Sequence, residues 1–435
     1  MATERERMKI VFNIFWPLAF SWLFMAVDNP SVSAIVSRMA DPEINLAAHG
    51  SIVYPISLII EAPIIMMLSM SLALCKDKVN YRRLYKFMMT MCAALTIVHA
   101  LVAFTPLYYV VVRDIIGAPP EILANARIGL MIMLPWTWAI GFRRFYQGIL
   151  IYCGFSKKVT VGTFIRMICL LSTLFIGYFF RDHLTGAIVG GSALAVGVVA
   201  EAIYIGKVGV KVAAAYLPDG EEKDLISWKE LFSFTAPLVP TQLINLGWMS
   251  LGSAAMSRMV NPIASLAVWP VLSGMINILR SFGNACNETT LSVVAKEGYY
   301  TVTRKFTFFI GLFCSFLYLL ILLTPLGDFW FINLSSLPPN LVALAKQALP
   351  LIFLIPLVNA MLNFFQAILL AGKKTSGFLE SLLLFLFLML IIFGIGIKTQ
   401  RWEGIFVILF GMNIATTAQM LWTAFRARSI IRQFS

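Results

Sequence analysis

Residues 17–47 and 237–267 align without a gap at an offset of 220 positions. Pro17, Leu18, Leu23, Ser33, Ala34, Ser37, Arg38, Met39, Pro42, Leu46 and Ala47 meet the same residue types in the second segment. The heart of the match reads SRMADP against SRMVNP. Two further anchors follow in order. Phe145, Tyr146, Gln147, Ile149 and Leu150 face Phe364, Phe365, Gln366, Ile368 and Leu369 at an offset of 219. Gly186 and Ala200 face Gly404 and Ala418 at 218. In an apolar chain of 435 residues, a repeat of half the length implies two copies of one membrane bundle. Such duplications are typical of transporters with a substrate path between the halves.

The membrane assignment rests on charge. Charged residues make up 13% of the chain and hydrophobic residues 60%, whereas soluble domains carry roughly a quarter charged residues. Mean hydropathy is +0.84. The net charge of +13 does not indicate nucleic acid, because the basic residues gather at the ends of apolar runs. The six cysteines are scattered without a C-x-x-C pair, so neither a disulfide framework nor a metal site is expected. The first apolar stretch, from Ile10, lacks a cleavage pattern and is expected to be retained as a helix.

A spanning helix needs about 20 mostly apolar residues. On that measure twelve spans are expected, near 10–36, 47–75, 86–110, 126–152, 158–180 and 185–207, then 232–257, 266–293, 304–326, 342–371, 375–397 and 403–425. Alternate connections hold 22 and 8 basic residues. The Lys/Arg-rich set is expected in the cytoplasm together with both termini. Six spans per copy give the copies one orientation, so the repeats are parallel. The predicted class is an all-α polytopic membrane protein of two six-helix bundles, 1–208 and 231–435, joined by a cytoplasmic linker over 209–230. Within it, Ser227-Trp-Lys-Glu230 has the form of a capping box opening the seventh span.

Ionisable groups inside spans are the functional candidates, since each costs at least roughly 2.5–3.5 kcal/mol in mid-membrane. Glu61 lies among apolar residues in IIEAPII, and the offset of 219 maps it onto Arg280. The two are expected at equal depth in opposite copies, either as a charge pair gating one access state or each paired within its own half. Ser273, Asn277, Arg280, Asn284 and Glu288 recur at spacings of 4, 3, 4 and 4, which is one helix face. That face avoids lipid, so it lines a substrate path or makes interhelical hydrogen bonds. Arg143 and Arg144 diverge by about 100° around their helix. Gln147 can share a face with either, and either arginine can snorkel to the headgroups. Arg166 and Glu201 fall at similar depth and form a structural pair or contact substrate. Asp28 is the candidate for proton or cation coupling; alternatively it caps a break before Pro30. His99 could relay protons or be a satisfied structural group. Four deep arginines balance Asp28, Glu61, Glu201 and Glu288. The guanidinium fork suits carboxylate and phosphate, which favours an anionic substrate over a cationic drug.

Pro17 and Asp28, eleven residues apart, resemble the first-helix pattern of the multidrug and toxin extrusion family. That family belongs to the multidrug/oligosaccharidyl-lipid/polysaccharide exporter superfamily. The resemblance implies that an aspartate such as Asp28 takes part in coupling, and that the cleft is formed by spans 1, 2, 7 and 8. Gly50-Ser-Ile-Val-Tyr54 with Pro63, and Trp269-Pro270-Val271 with Arg280, are similar to the second and eighth helices of the progressive ankylosis family. This closer likeness implies export of anions such as citrate, pyrophosphate or nucleotide.

The expected function is therefore a secondary-active exporter of a small organic or phosphorylated anion, a multi-pass monomer in the plasma or inner membrane. Arg280, Asn277 and Asn284 would bind substrate with Arg143, Arg144 and Gln147. Asp28, Glu61, Glu201, Arg166 and Glu288 would couple or gate. The expected partners are the lipid bilayer and a small-molecule substrate. No cofactor is expected beyond a coupling H⁺ or Na⁺. No phosphate-binding loop or H-E-x-x-H motif points to an ATP-driven motor or an enzyme. A cation antiporter and a lipid-linked precursor flippase are the alternatives.

Overall fold

The SRM-x-x-P signature is a helix-start device. Asp41 and Asn261 both adopt left-handed backbone, with φ of 46° and 49°. Asp and Asn are the non-glycine residues that tolerate this region best. Each is followed by a proline at the first helical position, Pro42 or Pro262, where the missing N–H is no loss. This computed structural model describes residues 3–221, 225–236, 238–294, 296–372 and 374–434. Lys223, Pro237 and Lys373, on which parts of the sequence reading rest, lie outside the described residues, as do Glu222 and Asp224 of the linker.

Among the described residues, nine helices are long and apolar enough to cross a membrane, and two bent helix pairs bring the number to eleven. The helix Leu238–Met256 stands where the seventh span is expected. The chain is thus an all-helical, twelve-span membrane protein. Several helices outrun their apolar stretches. The sixth runs Gly186–Tyr216 and the eighth Pro262–Val293, because intrahelical hydrogen bonding continues beyond the point where lipid demands apolar side chains.

The duplication reaches features that hydropathy does not show. Pro119-Pro120 and Pro338-Pro339 open the fourth and tenth spans, which bend by 41° and 46°. Before them, π-helical turns Val110–Ile115 and Phe329–Leu334 occupy equivalent places. Helix starts are satisfied in parallel. Asn45 Oδ1 accepts from Ala187 N at 3.0 Å, and its equivalent Ser265 accepts through Oγ from Ile405 N at 3.3 Å. Beside these contacts Gly186 and Gly404 allow close approach. A Cβ on Gly186 would lie 2.8 Å from Val36, and one on Gly404 would lie 2.8 Å from the Met256 Cα. The second span departs from the pattern. It contains a π-helical segment, Ala47–Val53, before Tyr54–Ile65 and Met67–Leu74, whereas the eighth is one continuous helix through Pro270.

The spans form two compact units of six. One comprises Met1–Ala34 with Ala255–Ser435, the other Ile35–Ala254. These units and the repeat copies are different partitions of the chain, because each copy's first span belongs with the other copy's remaining five. In the first unit, Val11, Phe15 and Ala19 are buried against Ala285, Cys286, Val293, Val302 and Phe306. The Phe15 and Phe306 rings meet edge-on at 5.0 Å. In the second unit, the seventh span starts with Trp228–Thr235 under the predicted capping box: Ser227 N donates to Glu230 Oε2 at 2.8 Å, and Glu230 N donates to Ser227 Oγ at 3.2 Å. Phe232 there packs edge-on against Phe87 of the third span.

Candidate functional site

Within the second unit a buried charge cluster is centred on Glu201 of the sixth span, which is fully inaccessible. A carboxylate there must be paired and hydrogen-bonded. Arg143 Nη1 donates to its Oε2 at 2.5 Å, and Gln147 Nε2 donates to its Oε1 at 3.0 Å. Arg143 and Gln147 are four apart on the fourth span, so they present one face. Arg166 of the fifth span adds an ion pair, its Nε lying 3.6 Å from Glu201 Oε2. The pairing of Arg166 with Glu201 weighed from the sequence is present, and Arg143 and Gln147 share the same carboxylate.

Arg144 and Glu61 are differently placed. The helix segment Tyr54–Ile65 packs on Leu134–Tyr152, with the Tyr54 and Trp136 rings stacked at 5.8 Å. Glu61 is 2% exposed, and its Oε2 is buried without a hydrogen-bond partner. Both Arg143 and Arg144 lie within Coulombic reach. Arg144 feels Glu61, Glu201, Arg143 and Arg166, yet its Nε is buried without a partner. No ion pair closes between Arg144 and Glu61 among the described residues. The cluster as a whole sets three guanidiniums against two carboxylates.

In the first unit the predicted stripe lies along one helix, Pro262–Val293. Ser273, Asn277, Arg280 and Asn284 are half-buried, and Glu288 is exposed. Ser273 Oγ returns to the Pro270 carbonyl at 3.2 Å, and Glu288 Oε1 accepts from Trp22 Nε1 at 3.1 Å. Among the described residues, Asn277, Arg280 and Asn284 bond no other side chain or backbone group of the unit. Their donors form a ladder on an accessible face. Asp28, buried at 8% exposure, begins the helix Asp28–Val36 after a break at Val27, and Pro30 packs on Gly274 of the stripe helix. Glu61 and Arg280 fall in different units, and the charges described around Glu61 come from its own.

His99 is a satisfied structural group. Its Nε2 lies 3.0 Å from the Leu130 carbonyl and its Nδ1 lies 2.7 Å from Thr137 Oγ1. A carbonyl can only accept, so Nε2 carries the proton and Nδ1 accepts from the threonine. The sequence reading did not single out His49, which is buried with an unpartnered Nδ1. Nothing in its apolar surroundings marks it in sequence.

No family model matches the chain, and no curated protein matches it. Solved structures do. An inward-facing multidrug resistance MATE family transporter of the MOP superfamily superposes with a TM-score of 0.66 at 15% identity, covering 95% of this chain and 96% of the other. A MOP superfamily transporter from Pyrococcus furiosus, described as having a binding pocket of reverse polarity that suggests a different function, gives 0.65 at 16% identity, covering 98% and 97%. The Vibrio cholerae MATE transporter VcmN in its bent form gives 0.59 at 18% identity, covering 99% of each chain. The fold of this chain, over nearly its whole length, is therefore that of the MATE transporters of the MOP superfamily.

Proposed function

We propose that the chain is a secondary-active exporter of a small multivalent anion, organic or phosphorylated, working by alternating access. One observation carries this reading: Arg280, flanked by Asn277 and Asn284, offers donors on a half-buried helix face that no group among the described residues takes up. A guanidinium fork matches the paired oxygens of carboxylate or phosphate, and amide donors on either side add geometric selection. The Lys/Arg bias of the connections supports a cytoplasmic side for both termini, and on that reading an exported anion is taken up from there. Coupling to H⁺ or Na⁺ through Asp28 completes the scheme. The MATE fold supports a transporter, and the Pyrococcus furiosus relative supports the view that this fold accommodates pockets of more than one polarity.

A cation or drug antiporter is the second reading. It is favoured by the multidrug transporters that share the fold and by buried Asp28 at the break in the first span. Counterflow in proteoliposomes with citrate, pyrophosphate, nucleotide and a cationic dye separates the two. Exchange of at least one of the anions is the expected result. Movement of the dye alone would overturn the anion reading.

A further inference from the structure

A buried carboxylate and a half-buried guanidinium that attract without bonding are unusual. A charged side chain inside a membrane is expected to pair or to face a ligand or water. Glu201 already draws Arg143, Gln147 and Arg166. Arg144 and Glu61 are left over: among the described residues neither makes a hydrogen bond or an ion pair, whereas Arg143 and Arg166, whose Nε atoms are also unpartnered, each reach Glu201. We propose that Arg144 receives a carboxylate or phosphate group of the transported anion, and that Glu61 is the internal counter-charge which takes up a proton when the anion arrives. This rests on the anion-exporter reading and adds to it a second anion-binding locus, in the other unit, together with its coupling chemistry.

The charge count supports the exchange. With both carboxylates ionised the cluster carries one positive charge in excess. An anion entering beside Arg144 would meet Glu61 as a like charge in a medium where such repulsion is strong. Protonation of the Glu61 carboxylate removes that repulsion and leaves two excess positive charges for the anion. The step moves one proton from hydronium to the Glu61 carboxylate: an O–H bond of hydronium breaks as the carboxyl O–H forms, and water is released. Anion binding and proton uptake are thereby linked, and the linkage is reciprocal. The groups around Glu61 are few. The fourth span contributes Arg143 and Arg144, with Glu201 and Arg166 beyond them. The third span, which also packs on the Glu61 segment, carries Cys92 and His99, and His99 is held by Thr137 and the Leu130 carbonyl. The π-helical turn before the segment carries His49.

The test is citrate counterflow across a pH series in which citrate stays fully ionised, with wild type, Glu61→Gln and Arg144→Gln. In wild type the half-saturating citrate concentration should fall as pH is lowered, by at most about tenfold per pH unit, the limit for one linked proton. Glu61→Gln should be low and flat across the series. Arg144→Gln should be at least tenfold weaker throughout. As a measurement independent of variant folding, a pH indicator should report proton uptake when citrate is added to weakly buffered wild-type protein. Citrate movement with a flat wild-type profile and no proton uptake would overturn the coupling and leave the anion reading standing. A Glu61→Gln profile identical to wild type would do the same. Wild type that moves a cationic dye but no anion at any pH would overturn both.

Discussion

Glu201 binds Arg143 at 2.5 Å, while Arg144, the next residue along the same helix, makes no hydrogen bond or ion pair among the described residues. A step of one residue, about 100° around a helix, separates a closed ion pair from a guanidinium with free valence. The two arginines therefore respond differently to mutation.

Removing the shared carboxylate strands Arg143 in a site that is 8% exposed. Glu201→Ala should destabilise the protein by about 3–5 kcal/mol, read as a lower thermal midpoint in detergent and poor recovery. Arg144→Gln should leave the midpoint close to wild type. Equal loss in the two variants would show that Arg144 is a structural partner after all.

The symmetric glycine contacts predict an asymmetry. Gly404→Ala presses a methyl group onto the Met256 backbone, whereas Gly186→Ala meets side-chain atoms of Val36 and Asn45. Side chains adjust and backbone does not. Gly404→Ala should cost about 1–3 kcal/mol and Gly186→Ala less, measured by thermal unfolding of the two variants side by side.

The linker end is held electrostatically. Lys78 Nζ lies 2.7 Å from Asp219 Oδ1 and holds that carboxyl below the usual carboxylate range. A depressed folded value means the contribution is present above the usual range and lost as pH falls through the lower one. Amide exchange over residues 217–221 should accelerate below about pH 4 beyond the intrinsic pH effect. Asp219→Asn should remove that acceleration. Nearby, Ser227→Ala should cost about 1 kcal/mol of helix-start stability, seen as faster exchange over Trp228–Thr235.

The twelve spans, the capping box at Ser227 and the polar stripe of Arg280 were legible in sequence. Those features are local or periodic. The left-handed starts at Asp41 and Asn261 were visible as a shared motif, and their backbone geometry is the reason the motif recurs. The exchange of first spans was not legible, because both partitions of the chain contain two sets of six apolar helices. Which acid holds which base was only partly legible. Glu201 lies 54 and 58 positions from Gln147 and Arg143, and only the packing of the fourth, fifth and sixth spans decides that one carboxylate serves three groups. The bends fall where Pro135 and Pro356 open the helices Leu134–Tyr152 and Ile355–Ala371, a local signal that the sequence carries at both places.

The central claim is that Arg280 binds an anion. The direct measurement is counterflow of citrate and pyrophosphate by Arg280→Ala and Asp28→Asn, each compared with wild type and with a cationic dye. Arg280 has no bonding partner among the described residues of its unit, so Arg280→Ala should keep a near-wild-type thermal midpoint while losing at least tenfold in anion exchange. Arg280→Lys should recover part of that loss. Asp28→Asn should retain anion exchange when equal pH and salt on both sides remove any need for coupling. The contrary result is dye exchange abolished by Asp28→Asn and untouched by Arg280→Ala, with no anion moved by wild type; it would make the protein a cation antiporter.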